Sequence, residues 1–262
     1  MATPEEREEK KLPETKVKIC GLTNAEEVRW VVEEKADYAG FVLFVPKSKR
    51  NLSVEQARLL LDELKRRNGS KAGRTKSVAV VISPTKEQIR QIEQLGFDYI
   101  QIHGRIEKEA VSVLGIPVIR AIHIPEFPMQ EAGGGRTMPV LRALHVTDEE
   151  TTEAATLPEK LIEQIEWERK FFGGKVEAFL FDAKEPGSGK MFDWNLLREI
   201  RAGKEQMILA GGLDPSNVRM AVDTVRPDVV DVSSGVEICR ETIGKNREKI
   251  REFMRKVRTD EQ

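Results

Sequence analysis

The sequence predicts an α/β fold consisting of a single (β/α)8 barrel of the TIM type. Short apolar runs, rich in β-branched residues, alternate with segments of helical period along the chain, and eight such runs can be counted. The chain has 262 residues, close to the roughly 250 residues that are typical of this barrel. An open, doubly wound sheet also alternates strands with helices, but it rarely needs eight units. Moreover, no G-x-G-x-x-G follows the first run.

The predicted strands are nearly continuous apolar runs, as expected for parallel strands that are buried on both faces. They read VKIC, YAGFVLF, SVAVVI, YIQIH, PVIRAIHI, AFLFDA, MILAGG and VVDVSS, at positions 17–20, 38–44, 77–82, 99–103, 117–124, 178–183, 207–212 and 229–234. A segment of helical character follows each run. The repeated unit therefore predicts eight parallel strands with a helix after each.

The helical segments carry their own start signals. Two of them have the spacing of a capping box, Ser53 with Gln56 and Thr85 with Gln88. Asp214 followed by Pro215 predicts an N-cap with proline at the first helical position. After the first of these signals, apolar residues recur with a period near 3.6, at positions 54, 57, 61 and 64.

The region around the fifth strand breaks the regular pattern. PVIRAIHI at 117–124 recurs almost unchanged as PVLRALHV at 139–146, and a Gly-rich stretch that contains proline separates the copies. Either copy can be strand five, so we predict an insertion around strand five at about 125–146, as a tolerated loop expansion or as a lid or oligomer contact. The barrel domain is predicted to span 16–262, after a charged and frayed tail at 1–15.

Composition and charge exclude several classes of protein. Charged residues make up 33% of the chain but balance to a net charge of −1, which favours neither a nucleic-acid nor a membrane partner. No apolar run reaches the roughly 18 residues of a membrane helix, and the first residues lack a signal-peptide core. Cys20 and Cys239 form neither a C-x-x-C pair nor a zinc spacing. We therefore predict a cytoplasmic protein in a reducing compartment, and the oligomeric state, monomer or homodimer, stays open.

The ends of strands seven and eight predict a phosphate site. In such a barrel the functional groups lie at the carboxyl ends of the strands, and these two strands are the usual phosphate binders. They end in small residues, in the segments LAGGLDP and DVSSGVE, which let backbone N–H groups approach an anion. The alternative to a phosphate site is that the glycines only allow tight turns. We predict that a phosphorylated small-molecule substrate binds to four residues, Gly211, Gly212, Ser234 and Gly235.

Two titratable side chains at strand ends suggest proton transfer. Cys20 ends strand one, and Asp182 ends strand six. A lone thiol is more often an inert buried group, but cations around a phosphate site can lower its pKa, and a nearby carboxyl can act as general acid. Arg50, in the basic loop after strand two, is placed to hold a substrate carboxylate. His103 is either a substrate contact or a satisfied polar residue, and His123 has no supporting neighbour in the sequence.

Six segments, taken in order, resemble the signature segments of one family. They are KICGLT, GFVLFVPKSKR, IQIHG, FDAKEPGSGKMFDW, LAGGLDPSNV and VDVSSGVE. These segments resemble phosphoribosylanthranilate isomerase, the barrel enzyme of tryptophan biosynthesis. The similarity runs from about Lys16 to the final helix and is missing around 124–139. Strand three, SVAVVISPT, lacks the usual Gly and Phe, and the final loop reads IGKNRE, which departs from the family pattern.

The resemblance implies an Amadori rearrangement of N-(5′-phosphoribosyl)anthranilate, with no metal or organic cofactor. Asp182 would be the general acid that opens the ribose ring, and Cys20 the general base that takes the C2 proton. Arg50 would bind the anthranilate carboxylate, and Asp231 the sugar hydroxyls. The segment KEPGSGKM at 184–191 has the glycine pattern of a mobile loop that could close over the substrate.

Two rival functions stay open at this point. One is the sister isomerase of histidine biosynthesis, or a bifunctional barrel that serves both pathways, although that chemistry is associated with an aspartate where this chain has Cys20. The other is a non-catalytic phosphate-binding barrel. Both proton-transfer groups are present in the chain, which favours an enzyme.

Overall fold

Eight strands lie at the eight positions that the sequence predicts. The structure is a computed structural model that describes residues 14–69, 74–124, 157–183, 194–200, 203–239 and 243–259. The last two strands end earlier than predicted, because the small residues that follow them form loops. The strands are β1 (Lys16–Cys20), β2 (Tyr38–Leu43), β3 (Lys76–Ile82), β4 (Tyr99–His103), β5 (Val118–Ile124), β6 (Val176–Ala183), β7 (Gln206–Leu209) and β8 (Val229–Val232).

The strands close into a parallel barrel. Each strand pairs with its neighbours in the chain, and β1 also pairs with β8. Ile19 of β1 is in register with Ala39 of β2 on one side and with Val232 of β8 on the other. This closure confirms the predicted barrel and excludes the open sheet. A two-residue strand, Asn51–Leu52, lies beside the end of β2.

A helix follows every strand in the chain. The helices are α1 (Ala25–Glu33), α2 (Val54–Asn68), α3 (Lys86–Leu95), α4 (Lys108–Val111), α5 (Leu157–Phe171), α6 (Asn195–Ile200), α7 (Val218–Val225) and α8 (Arg247–Arg258). Both predicted capping boxes form. Ser53 Oγ accepts from the Gln56 N–H at 3.1 Å, and Thr85 Oγ1 accepts from the Gln88 N–H at 3.3 Å. None of the helices in the described ranges is long and apolar enough to cross a lipid bilayer.

Helix α7 begins later than predicted. Residues 215–217 form a turn, and the helix starts at Val218 with Asn217 as its N-cap. The Asp214 carboxylate still satisfies backbone donors, because its Oδ1 accepts from the N–H groups of Ser216 at 2.7 Å and Asn217 at 3.2 Å. The prediction that Pro215 is the first helical residue was therefore wrong, since the aspartate caps the preceding turn rather than the helix.

Two apolar layers build the core. One lies between the strands and the helices, and the other fills the barrel. Alternate residues of each strand enter the two layers. Val118 and Ile122 of β5 belong to the outer layer, whereas Ile119 and Ala121 belong to the inner one. The same alternation places Cys20 at the end of β1 in the inner layer.

The first copy of the repeated segment is strand five. Its residues pair with β4 on one side and with β6 on the other. The second copy at 139–146 and the predicted insertion at about 125–146 lie outside the described residues, as does the tail up to residue 13. The boundaries of the tail and of the insertion therefore stay predictions.

Arg120 of β5 points outward and fastens α5 to the barrel wall. Its Nη1 donates to the Ile102 carbonyl at 2.9 Å, and its Nη2 lies 2.7 Å from Oε1 of Glu168 on α5. Both side chains are buried, and the guanidinium lies 5.9 Å from the ring centre of Phe172. Removal of either charged partner would leave the other charge buried and unpaired, which costs about 3–5 kcal/mol.

Candidate active site

Four of the predicted site residues line the open end of the barrel. Cys20 and His103 are the last residues of β1 and β4, Asp182 lies near the end of β6, and Asp231 lies within β8. Each of these four residues keeps 8% of its surface exposed, whereas Lys18, two residues deeper in β1, keeps none. The four side chains are therefore buried in the barrel mouth but still reach solvent.

Lys18, which the sequence did not single out, lies beside two of these residues. Its Nζ lies 2.9 Å from Oδ2 of Asp231, its register partner across the β1–β8 pairing. Its ammonium also acts electrostatically on the Cys20 thiol, which belongs to the same inward row of β1. Gly40 of β2 leaves room for both groups, because a Cβ there would lie 2.9 Å from Cys20 Sγ and 3.2 Å from Lys18 Nζ. The available signal was a lysine at an inward position of an otherwise apolar strand.

The Cys20 thiol is protonated at neutral pH. Burial raises its pKa, and the Asp231 carboxylate adds to this effect, while the ammonium groups of Lys18 and Lys245 oppose it. The net shift is upward, although the cations around the mouth act to lower this pKa, as the sequence suggested. The cations are present, but desolvation of the thiolate outweighs them. Burial acts to lower the pKa of Lys18, but Asp231 and Cys20 raise it, so Lys18 carries a charge.

Arg50 reaches the mouth from the loop after β2. Its Nε donates to Oε1 of Glu237 at 2.6 Å, and the ammonium groups of Lys49 and Lys245 lie 3.2 and 3.4 Å from the same carboxylate. Burial acts to raise the pKa of Glu237, but these three cations lower it below its usual range. Between described residues, no hydrogen bond uses the two Nη groups of Arg50, so the guanidinium can still bind a second carboxylate.

Gly21 gives Arg50 the space to cross the end of β1. Its φ is +79°, and a Cβ at this position would overlap Cδ of Arg50 and lie 3.2 Å from Oγ of Ser233. The Ser233 hydroxyl donates to the Cys20 carbonyl at 3.0 Å, which ties the loop after β8 to the end of β1. The two residues therefore have separate roles: Cys20 places a thiol inside the barrel, and Gly21 leaves space for the Arg50 guanidinium.

His103 is neutral and has two partners. Nε2 of Gln101 lies 2.8 Å from its Nε2, and Nε2 of His123 lies 3.3 Å from its Nδ1. Because an amide nitrogen only donates, His103 accepts at Nε2 and donates from Nδ1 in this arrangement. Burial lowers the pKa of His103 to about 3, helped by the nearby His123, Lys18 and Arg120. His103 is thus a satisfied polar residue, and its contact with substrate stays a prediction.

Asp182 lies on a different side of the mouth from Cys20, three strands away around the barrel. It is in register with His123 of β5, and both positions continue the inward rows of their strands, after Leu180 and Ala121. The expectation that His123 has no supporting neighbour was wrong, because this residue lies between His103 and the position of Asp182. The segment at 184–191, predicted to be a mobile loop, lies outside the described residues.

The two predicted phosphate loops contact each other. Gly211 and Gly212 follow β7 with φ values of +86° and +67°. After β8, Ser234–Val236 form a 3₁₀ turn, and a Cβ on Gly235 would overlap the Leu213 carbonyl oxygen. Within the described part of the chain, no hydrogen bond uses the N–H groups of the four residues that the sequence assigns to phosphate. These donors are therefore available to an anion.

Solved structures with the same fold are known. The crystal structure of phosphoribosyl anthranilate isomerase from Thermotoga maritima is 31% identical to this chain, with a TM-score of 0.67 over 93% of this chain and 98% of that one. Another crystal structure is of phosphoribosyl anthranilate isomerase in complex with reduced 1-(o-carboxyphenylamino)-1-deoxyribulose 5-phosphate. It is 29% identical, with a TM-score of 0.65 over the same shares of the two chains.

Sequence comparisons agree with the structural ones. A family model described as N-(5′-phosphoribosyl)anthranilate (PRA) isomerase matches residues 17–176 and 159–256. The N-(5′-phosphoribosyl)anthranilate isomerase of Acetivibrio thermocellus is 36% identical over 250 residues, which cover 93% of this chain and 96% of that protein. The match of the model, the extent of this identity and the shared barrel lead to one conclusion: the chain belongs to the N-(5′-phosphoribosyl)anthranilate isomerase family.

Proposed function

We propose that this chain carries out the isomerase reaction of its family with Asp182 as general acid and Cys20 as general base. The substrate is N-(5′-phosphoribosyl)anthranilate, and the product is 1-(2-carboxyphenylamino)-1-deoxyribulose 5-phosphate. One observation carries the assignment: both side chains belong to the inward rows of the open barrel end, on different sides of it, and the strands β7 and β8 that lie between them lead into backbone N–H groups with no acceptor among the described residues. An acid and a base on two sides of an anchored sugar can move protons at two of its atoms.

Asp182 performs the first step. Its carboxylic acid donates a proton to the ribose ring oxygen, and the bond between C1 and that oxygen breaks. The lone pair of the anthranilate nitrogen forms a C=N bond as the ring opens. The result is an open-chain protonated Schiff base and an Asp182 carboxylate.

Cys20 performs the second step. Its thiolate takes the proton from C2, and the electron pair of that C–H bond forms a C1=C2 double bond, which neutralises the nitrogen. The resulting enolamine tautomerises to the ketone product. Because the thiol is protonated in the free protein, Cys20 must lose its proton before it acts.

Three groups of contacts hold the substrate in this proposal. Arg50 binds the anthranilate carboxylate through its Nη groups while its Nε stays on Glu237. Asp231 accepts from the sugar hydroxyls with Oδ1, which is buried and has no partner among the described residues, while its Oδ2 stays on Lys18. The phosphate binds to the backbone N–H groups of four residues, Gly211, Gly212, Ser234 and Gly235.

The test follows the fluorescence of phosphoribosylanthranilate as the purified chain consumes it, with no metal or cofactor added. We expect turnover, and we expect Asp182→Asn and Cys20→Ser each to lower kcat by about 10²–10⁴-fold. Cys239→Ser is the matched control, because it changes the other cysteine, which is exposed, and it is expected to keep the wild-type rate. Absence of turnover by the wild type would overturn the function, and near-wild-type rates in both variants would overturn the residue assignment.

A further inference from the structure

Lys18 is a charged group at a position where the barrel needs only packing. Its side chain is fully buried, and its Nζ lies 2.9 Å from Oδ2 of Asp231. The ammonium and the Cys20 sulfur both lie next to Gly40, where an added Cβ would be 3.2 Å from Nζ and 2.9 Å from Sγ. Burying an ammonium carries a large desolvation cost, and an ion pair only partly offsets this cost. An apolar residue would fill the same inward position at a lower cost. A role beyond packing is therefore required to explain the lysine.

We propose that Lys18 is a positioning residue for the isomerase reaction: held by Asp231, its ammonium faces the Cys20 sulfur and stabilises the thiolate that removes the C2 proton. This inference rests on the proposed function, which makes Cys20 the base. Lys18 does not touch the substrate, because its side chain is completely enclosed by the barrel. Lys18 acts on the reaction only through the Cys20 sulfur.

Three charged groups act on the Cys20 sulfur, and they are not equivalent. Lys18 lies on the same strand, Asp231 lies on β8, and Lys245 lies just before α8. The Lys245 ammonium is held elsewhere, since it donates to the Ser233 carbonyl at 3.0 Å and lies 3.4 Å from Oε1 of Glu237. Of the two cations, Lys18 acts more strongly on the thiol, and its Nζ and the Cys20 sulfur both lie next to Gly40. Lys18 is therefore the cation on which a thiolate at this site depends.

The shared ammonium also links substrate binding to the base. In the free protein the charges of Lys18 and Asp231 cancel, and burial keeps Cys20 as a thiol. When sugar hydroxyls donate to Asp231, they take up part of its negative charge. The Lys18 ammonium then acts more strongly on the sulfur, so loss of the thiol proton becomes easier with substrate bound.

The test measures how the rate of Cys20 alkylation by iodoacetamide depends on pH, because only the thiolate reacts. All variants carry Cys239→Ser, which leaves Cys20 as the one cysteine of the chain. Lys18→Met is expected to move the profile to higher pH and to slow alkylation at neutral pH about tenfold for each pH unit of that move. Lys18→Arg keeps a cation and is expected to stay close to the wild-type profile.

Asp231→Asn is the matched control, because it removes the opposite charge from the same sulfur and is expected to move the profile to lower pH. The double variant Lys18→Met/Asp231→Asn leaves no unpaired buried charge, so it is expected to fold even where Lys18→Met alone does not. Circular dichroism and thermal unfolding verify the fold of each protein. Comparison of the double variant with Asp231→Asn then isolates the effect of the lysine, and coincident profiles for this pair would overturn the inference.

The alkylation profile separates this inference from the isomerase assignment, because it needs no turnover. Where turnover is observed, Lys18→Met is expected to lower kcat with little change in KM. Turnover together with profiles that do not respond to Lys18 would overturn the role of the lysine alone. Absence of turnover with shifted profiles would overturn the proposed function, and with it the role of Lys18 in the reaction.

Discussion

Two buried ion pairs, one on each side of the barrel, differ in the face of the strand that carries them. Lys18 and Asp231 point inward and join β1 to β8 beside Cys20, with 2.9 Å between charged atoms. Arg120 and Glu168 meet outside the barrel and join β5 to α5, with 2.7 Å between charged atoms. Burial of an ion pair therefore does not mark a functional site by itself. A pair on the inward face of a strand can act on the reacting groups, whereas a pair on the outward face stabilises the packing of a helix on the barrel.

The inward groups on the two sides differ in charge as well. The side formed by β1 and β8 places a cation and a carboxylate beside Cys20. The side formed by β4 and β5 places His103 and His123 in the mouth, and His103 is held neutral with a pKa of about 3. This division suits the proposed roles, because a base must become an anion, whereas an acid must stay protonated until it acts.

The largest expected effect comes from breaking the outward pair. Arg120→Ala leaves Glu168 buried without its partner and is expected to lower the free energy of unfolding by about 3–5 kcal/mol, measured by urea denaturation. The kcat of the folded variant should change little, since the pair lies behind the barrel wall. Arg66→Ala breaks an exposed pair with Glu63 on α2, and this matched control should cost no more than about 1 kcal/mol. A loss of kcat as severe as the loss of stability would contradict the separation of the two pairs.

The next effect tests the charged side of the mouth. Arg50→Ala removes a charge-assisted contact worth about 1.5–3 kcal/mol, so KM should rise about 10–150-fold. Glu237→Gln keeps the arginine but weakens its anchor, and a smaller rise is expected. Lys47→Ala removes an exposed cation from the same loop and should leave KM unchanged in steady-state assays. An equal rise in KM for Lys47→Ala would mean that the general charge of the loop, rather than the guanidinium, binds the substrate.

The fold could be predicted because its signals are local. Strands such as SVAVVI contain a continuous apolar run, Val78 to Val81, because both faces are buried there, and capping boxes such as Ser53 with Gln56 act within one turn of helix. The start of α7 could not be read in the same way, because an aspartate caps a turn and a helix with the same hydrogen bonds. The choice of strand five between two similar segments depended on pairing with β4 and β6, which no local pattern contains.

The site was visible where a residue lies at the end of a strand or in the loop that follows it. Cys20 and Asp182 could be placed at the mouth because the order of strands decides which residues meet there. Lys18 could not, because a lysine in a strand is usually solvated and its partner Asp231 lies 213 residues away. Glu237, which anchors Arg50 across 187 residues, was missed for the same reason.

His103 is held neutral in the mouth, and this predicts that the free energy of unfolding falls in acid. His103 has a pKa of about 3 in the folded chain, against an ordinary value of 6.5. Between these values the unfolded chain binds more protons, so the free energy of unfolding falls as pH falls, by up to about 1.4 kcal/mol per pH unit. Above pH 6.5 His103 is neutral in both the folded and the unfolded chain, so it adds no pH dependence to the free energy of unfolding. His103→Gln removes this contribution, so urea unfolding at a series of pH values should show a steeper loss for the wild type. Equal slopes would mean that His103 is not held neutral.

The smallest expected effect comes from Gly21→Ala, which fills the space that the Arg50 side chain occupies beside Gly21. Gly69→Ala is the matched control. Both glycines have positive φ, +79° and +56°, so alanine at either position should cost about 1–2 kcal/mol of stability. A Cβ at Gly69 meets no atom of the described residues within 4 Å, whereas one at Gly21 overlaps the Arg50 side chain. Gly21→Ala should therefore raise KM as well, and Gly69→Ala should not. If both variants keep the wild-type KM, the guanidinium does not need this path to bind the substrate, and Arg50 is not the group that fixes the carboxylate on the charged side of the mouth.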